Sequence, residues 1–139
     1  MTPEQRTLVQ SSWAPMRARK EDAAEWFYGR LFETYPEVRH HFSGDMKRQG
    51  RMFVSMLDQA VAGLDDVERI AEPLRHLGRA HVGYGAKVDD YEKVRAALMW
   101  TLGQGLGDAF TDEVEEAWSE AFTVVAEAML AGVPPTSDC

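Results

Sequence analysis

Cysteine is almost missing from this chain: the only one, Cys139, is the last of 139 residues. Neither a disulfide framework nor a cysteine-ligated metal cluster can be built from it, so any metal chemistry must use histidine or carboxylate. Long apolar runs are missing too. The longest fall far short of the roughly 20 residues of a membrane helix, and the opening MTPEQRTLVQ has no apolar segment of the kind that marks a secretory signal. A cytoplasmic location without membrane association is the resulting expectation. Positive charge is in deficit, with 15 Lys plus Arg against 23 Asp plus Glu and a formal net charge of −8. That balance argues against general affinity for nucleic acid or anionic membranes. No alternating β pattern, internal repeat, low-complexity block or linker interrupts the sequence. One domain over residues 1–133 is predicted, with Pro134-Pro135 opening a short polar tail, 134–139.

What is present is helical patterning. Thr2-Pro3-Glu4-Gln5 supplies a cap, a proline at the first helical position and a glutamine at the third, a capping-box start. The first helix then runs to about Arg19 with Leu8, Val9, Trp13 and Met16 on one stripe. A second, about Glu21 to Thr34, turns Ala23, Ala24, Phe27, Leu31 and Phe32 inward and stops at Tyr35-Pro36. Pro36 suits a short helical turn. After the Phe42-Ser43-Gly44-Asp45 break, a third helix carries Met52, Phe53, Met56, Leu57, Ala60, Val61 and Leu64, and Gly63 with Asp65-Asp66 closes it. A fourth, about Val67 to Ala80, places Ile70, Leu74, Leu77 and His81 along one stripe. The glycines of Val82-Gly83-Tyr84-Gly85 each cost about 1 kcal/mol in a helix, so a turn is expected directly after His81. Two more helices follow, Asp89 to Leu106 and a Thr111-capped Asp112 to about Ala131. The fold class is all-α.

Three polar residues sit on apolar stripes, where an unpaired group costs roughly 1–3 kcal/mol to bury. Tyr28 lines up with Ala24, Leu31 and Phe32; Gln49 heads the stripe of Met52, Phe53 and Met56; His81 ends the stripe of the fourth helix. Taken singly, each has an ordinary reading: a core histidine with a hydrogen bond, a tyrosine whose hydroxyl reaches water, a glutamine near a helix start.

Together they resemble the globin family, specifically the bacterial single-domain globins related to flavohaemoglobin haem domains and to neuroglobins. Leu77-Gly78-Arg79-Ala80-His81-Val82-Gly83-Tyr84-Gly85 is similar to that family's proximal-histidine segment. Tyr35-Pro36, followed six residues later by Phe42, resembles its corner proline and haem-stacking phenylalanine. Phe27-Tyr28-Gly29-Arg30-Leu31-Phe32 and Gly105-Leu106-Gly107-Asp108-Ala109-Phe110-Thr111, ahead of Trp118, extend the likeness over nearly the whole chain. It implies a globin fold of six to eight helices around a haem pocket, with haem b as cofactor. It implies His81 as the iron ligand, Gln49, 32 residues earlier, at the distal position, and Tyr28 facing it. Phe42 would stack on the haem edge. Phe53 falls where the family keeps a smaller aliphatic residue, which predicts a cramped distal pocket.

The implied function is reversible binding of dioxygen, nitric oxide or carbon monoxide. The backbone carbonyl of Leu77 is the expected acceptor for the second ring nitrogen of His81. Tyr28 and Gln49 would donate hydrogen bonds to a ligand that gains negative charge, which predicts slow oxygen release and high affinity. Flavohaemoglobin-like domains also set a tyrosine ten residues after the proximal histidine, paired with a late glutamate. Tyr91 matches, but the glutamate's place falls at about Ala131 to Val133, and Glu127 is more than a turn away. Nitric oxide dioxygenation is the alternative activity, and it would need a separate reductase. A haem-free helical module that binds partner proteins is a third reading. Lys47, Arg51, Arg79 and Lys87 are the candidates to meet haem propionates. His40 and His41 are expected in a solvated corner, and His76, five residues before His81, points roughly 140° away from it.

Overall fold

The computed structural model describes residues 1–42, 44–83 and 88–131, with the backbone alone at 41, 81–83, 88 and 89. Six α-helices and three short 3-10 turns make up the described residues, without a strand. They are α1 (Pro3–Arg17), α2 (Lys20–Thr34), α3 (Met46–Ala62), α4 (Val67–Gly83), α5 (Val88–Leu106) and α6 (Asp112–Leu130), with turns at Pro36–His41, Gly63–Asp65 and Gly107–Ala109.

Helix starts follow local chemistry. At α1 the Gln5 amide N–H donates to Thr2 Oγ1 (3.1 Å) while the Gln5 side-chain oxygen accepts from the Thr2 N–H (2.9 Å), completing the predicted box. Asp45 accepts from the Lys47 N–H (2.9 Å) at α3, and Thr111 from the Val114 N–H (3.3 Å) at α6. Gly107 turns the chain from α5 toward α6 at φ +56, a left-handed conformation that glycine adopts without a Cβ penalty. The expected stop after His81 is not seen. Helix α4 carries its backbone through His81 and Val82 to Gly83, because an isolated glycine at a helix end costs only about 1 kcal/mol. Residues 84–87 lie outside the described set.

Packing follows the apolar stripes. Val9, Trp13 and Met16 of α1 are buried, and indole N–H groups tie that helix to its neighbours: Trp13 donates to Asp58 Oδ1 of α3 (2.9 Å), Trp118 of α6 to Ser12 Oγ (2.8 Å). Helix α2 lies against α5 and α3, and α4 lies mainly against α6. Two glycines let helices cross closely. A Cβ on Gly50 would stand 2.8 Å from Ala24 Cβ, and one on Gly78 only 1.9 Å from the Met129 carbonyl oxygen. Arg95 fastens α5 to α6: its guanidinium donates to the Ser119 carbonyl (2.9 Å), Ser119 Oγ (2.7 Å) and Thr123 Oγ1 (2.9 Å), and it stacks over Phe122.

Candidate functional site

Between α3, α4, α5 and α6, with α2 as a wall, the helices leave a cavity of about 530 Å³. That lies within the range of small-molecule and cofactor sites. Its lining is overwhelmingly aliphatic and aromatic, and among the described residues its polar side groups are few: Tyr28, Gln49, Asp90, Tyr91 and the Trp118 indole. The Trp118 N–H is already donated to Ser12, and Asp90 is ion-paired with Lys93 at 3.2 Å, so among the described residues Tyr28, Gln49 and Tyr91 carry the cavity's polar chemistry.

Tyr28 and Gln49 are brought together. The Gln49 amide Nε2 donates to the Tyr28 hydroxyl oxygen at 3.2 Å, across the α2–α3 crossing. The small pair Ala24 and Gly50 explains why: Ala24 is one turn before Tyr28, Gly50 is next to Gln49, and their near contact lets the two helices approach. Since the hydroxyl oxygen accepts from Gln49, its own proton remains available as a donor. Tyr28 is only 8% exposed, and burial pushes its phenol up to about 12, partly offset by the bond from Gln49. At neutral pH it is therefore a neutral O–H donor.

An aromatic cluster fixes this hydroxyl. Tyr28 meets Phe27 at 4.9 Å, Phe42 at 5.5 Å and Phe53 at 5.7 Å between ring centroids, each edge to face. Phe53 is stacked flat on Phe27 (4.0 Å, 18°), and that seat accommodates a ring where a smaller side chain was the family expectation. Phe42, at the end of the Pro36–His41 turn, also lines the cavity.

Tyr91 also lines the cavity, half-buried, with its phenol raised by burial. Glu127 is exposed, and no carboxylate of α6 bonds to Tyr91 among the described residues. Helix α4 presents Leu77 and Ala80 to the cavity, and the position of His81 follows Leu77 by one turn; the His81 side chain lies outside the described residues, as does Lys87. Arg79 is engaged with Glu72 at 3.3 Å, and Lys47 and Arg51 are exposed. His40 is exposed and its Nδ1 contacts the Glu37 carbonyl; His76 is exposed as well. The side chain of His41 is outside the described residues.

Three features escaped the sequence reading. Gly50 was readable as an isolated glycine in a helical pattern, which often marks a close contact. Asp90 gave no signal, since an acid in the first turn of a helix is ordinary. Met52 belongs by period to the inward stripe, yet it is 56% exposed at the cavity rim, because it lies about 60° round the helix from Gln49 and no neighbour covers it.

Against known proteins, the sequence model of the globin family matches residues 25–129. The chain belongs to the globin family. This globin is 28% identical over 123 residues to a flavohemoprotein of Oceanobacillus iheyensis, covering 86% of the chain and 30% of that protein. It is 26% identical over 146 residues to the neuroglobin of Tetraodon nigroviridis, covering 95% of the chain and 92% of the relative. The globin thus spans about a third of the flavohemoproteins it matches and nearly all of the neuroglobins. Among solved structures it resembles a hexacoordinated heme protein from an anhydrobiotic tardigrade (TM-score 0.85, 20% identity, 95% of this chain and 94% of that one). It also resembles ferric Aplysia limacina myoglobin (TM-score 0.84, 20% identity, 96% and 99%). No described helix is long and apolar enough to cross a membrane.

Proposed function

We propose that this globin binds haem b in the cavity, through iron held by His81, and reversibly binds a diatomic gas with high oxygen affinity. The observation that carries the reading is the Tyr28–Gln49 hydrogen bond, a polar pair facing an otherwise apolar chamber. Burying a polar group costs stability unless it is hydrogen-bonded, and the Tyr28 proton, which that bond does not use, is left for a group bound in the chamber. The chamber suits a flat, mostly apolar macrocycle: aromatic and aliphatic walls from five helices, a volume of about 530 Å³ and exposed residues at the Gly44–Met52 rim.

Bound haem would supply a metal with one coordination position left for the gas. The remaining work falls to this chain's residues. His81 supplies an imidazole nitrogen, and the Leu77 carbonyl one turn earlier is the acceptor that would fix its tautomer. Tyr28 keeps its proton at neutral pH and offers it into the chamber, while Gln49 orients the phenol by donating to its oxygen. Each such hydrogen bond toward negative charge contributes roughly 1.5–3 kcal/mol. Phe27 and Phe53, stacked at 4.0 Å, restrict the room beside that hydroxyl and keep water out. The test is reconstitution with haem followed by absorption spectroscopy with and without oxygen. A Soret band that shifts on oxygenation and is abolished in His81→Ala is the expected result; no Soret band after reconstitution would overturn the assignment.

A further inference from the structure

The Pro36–His41 turn leads into Phe42, and both the buried Val38 and Phe42 line the cavity; on α5, Asp90, Tyr91 and Val94 line it as well. Turn and helix meet where Lys93 of α5 reaches the turn. Its Nζ lies 3.4 Å from Glu37 Oε1 and 5.9 Å from the centre of the Tyr35 ring. Asp90, one turn earlier on α5, holds the same ammonium at 3.2 Å. A seam in the cavity wall is therefore bridged by a cation gripped from both sides.

The turn depends on such outside support. Among the described residues it packs mainly on α2, so each contact toward α5 counts for more. Its own hydrogen bonds span three residues, from the Val38 N–H to the Tyr35 carbonyl and from the Phe42 N–H to the Arg39 carbonyl, both 3.1 Å, and turns of this kind have poorer bond geometry than an α-helix. Lys93 and Asp90 are 25% and 16% exposed, so water screens their pair little, whereas Glu37 is 57% exposed and its bond to Lys93 is open to salt. Phe42 follows the turn, because the Arg39 guanidinium donates to the Phe42 carbonyl at 2.7 Å. The Phe42 ring in turn packs edge to face on Tyr28.

We infer that Lys93 is a positioning residue: it fastens the Phe42 turn to α5 and sets how readily the cavity opens along this seam to admit or release a bound group. This rests on the haem-binding reading for the identity of that group, but the fastening is measurable without it. Hydrogen exchange at the Val38 and Phe42 amides, followed by NMR in the full chain, reads the seam directly. Lys93→Met keeps the aliphatic stem and removes the ammonium, and both amides should exchange about three- to fivefold faster than in the wild type. Raising salt from about 20 to about 500 mM should speed exchange in the wild type and not in Lys93→Met. Lys93→Arg should restore slow exchange, and Glu37→Gln/Lys93→Met should exchange no faster than Lys93→Met alone. Amides of α1 should not change in any of these variants, which separates the seam from a general loss of stability. The control Arg75→Met removes another ion-paired cation, on α4, and should leave Val38 and Phe42 as in the wild type. With haem bound, its transfer to excess apomyoglobin should accelerate in the same order. Equal exchange in Lys93→Met and the wild type overturns the fastening, and faster exchange without faster haem transfer overturns the seam as the route into the cavity. A missing Soret band overturns the haem reading instead, and the hydrogen-exchange result still decides the fastening.

Discussion

Replacing Tyr28 by Phe removes one oxygen atom from the most constrained polar contact in the cavity. The ring should stay where it is, because edge-to-face contacts with Phe27, Phe42 and Phe53 at 4.9, 5.5 and 5.7 Å hold it independently of the hydroxyl. Stability should change by no more than about 1 kcal/mol, since a typical net hydrogen bond is lost while the cost of burying a hydroxyl disappears. Gln49 is half-buried and can turn to donate elsewhere. What the variant loses is a neutral donor aimed at the chamber, worth roughly 1.5–3 kcal/mol toward a ligand with negative charge. At 1.36 kcal/mol per factor of ten, oxygen dissociation should accelerate by about 10- to 150-fold. Stopped-flow displacement of oxygen by carbon monoxide measures it directly. An off-rate within about twofold of wild type would refute the role assigned to Tyr28, whatever the variant's stability.

Other outcomes follow from the same geometry. Absorbance at 295 nm should show one tyrosine ionising near pH 12 that disappears in Tyr28→Phe. Because the folded-state value is raised from 10.0 to about 12, folding is favoured fully below pH 10 and loses this contribution, on the order of a few kcal/mol at most, as pH rises from 10 through 12. Denaturant titrations at pH 9 and 12 should differ less for Tyr28→Phe than for wild type. Gly78→Ala forces a Cβ into the Met129 carbonyl and should cost about 1–3 kcal/mol by urea unfolding, whereas Gly29→Ala, with nothing within 4 Å, should stabilise by about 0.5–1 kcal/mol. Equal effects at the two glycines would show that the α4–α6 crossing is not as close as described. Arg95→Met should destabilise by about 2 kcal/mol in the same assay through loss of its charge-assisted bonds to Ser119 and Thr123.

Much of this was legible in the residues because it depends on local rules. Thr2, Asp45 and Thr111 read as caps or breaks, and the helices begin beside them. Tyr28 and Gln49 stood out as polar residues on apolar stripes, and they meet at 3.2 Å. What was not legible depends on distances between helices. Nothing in periodicity says that Phe53 would find a stacking partner in Phe27, or that Arg95 would span α5 to α6. The end of α4 is not legible in the sequence because glycine propensity is a weak local preference, and the contact of α4 with α6 at Gly78 supports the helix beyond it.

The small residues at the helix crossings connect these two levels. Gly50 lowers the intrinsic stability of α3 by roughly 1 kcal/mol relative to alanine, a cost that is offset only by the close crossing it permits. In return α3 approaches α2 until Gly50 and Ala24 nearly touch, and that approach is what puts the Gln49 amide within reach of the Tyr28 oxygen. A bulkier residue at position 50 would relieve nothing in the core, but it would part the hydrogen-bonded pair. The donor geometry in the chamber is therefore a property of the α2–α3 crossing as much as of Tyr28 and Gln49. For the same reason, a change behind the cavity wall can alter ligand release without touching any residue that lines it.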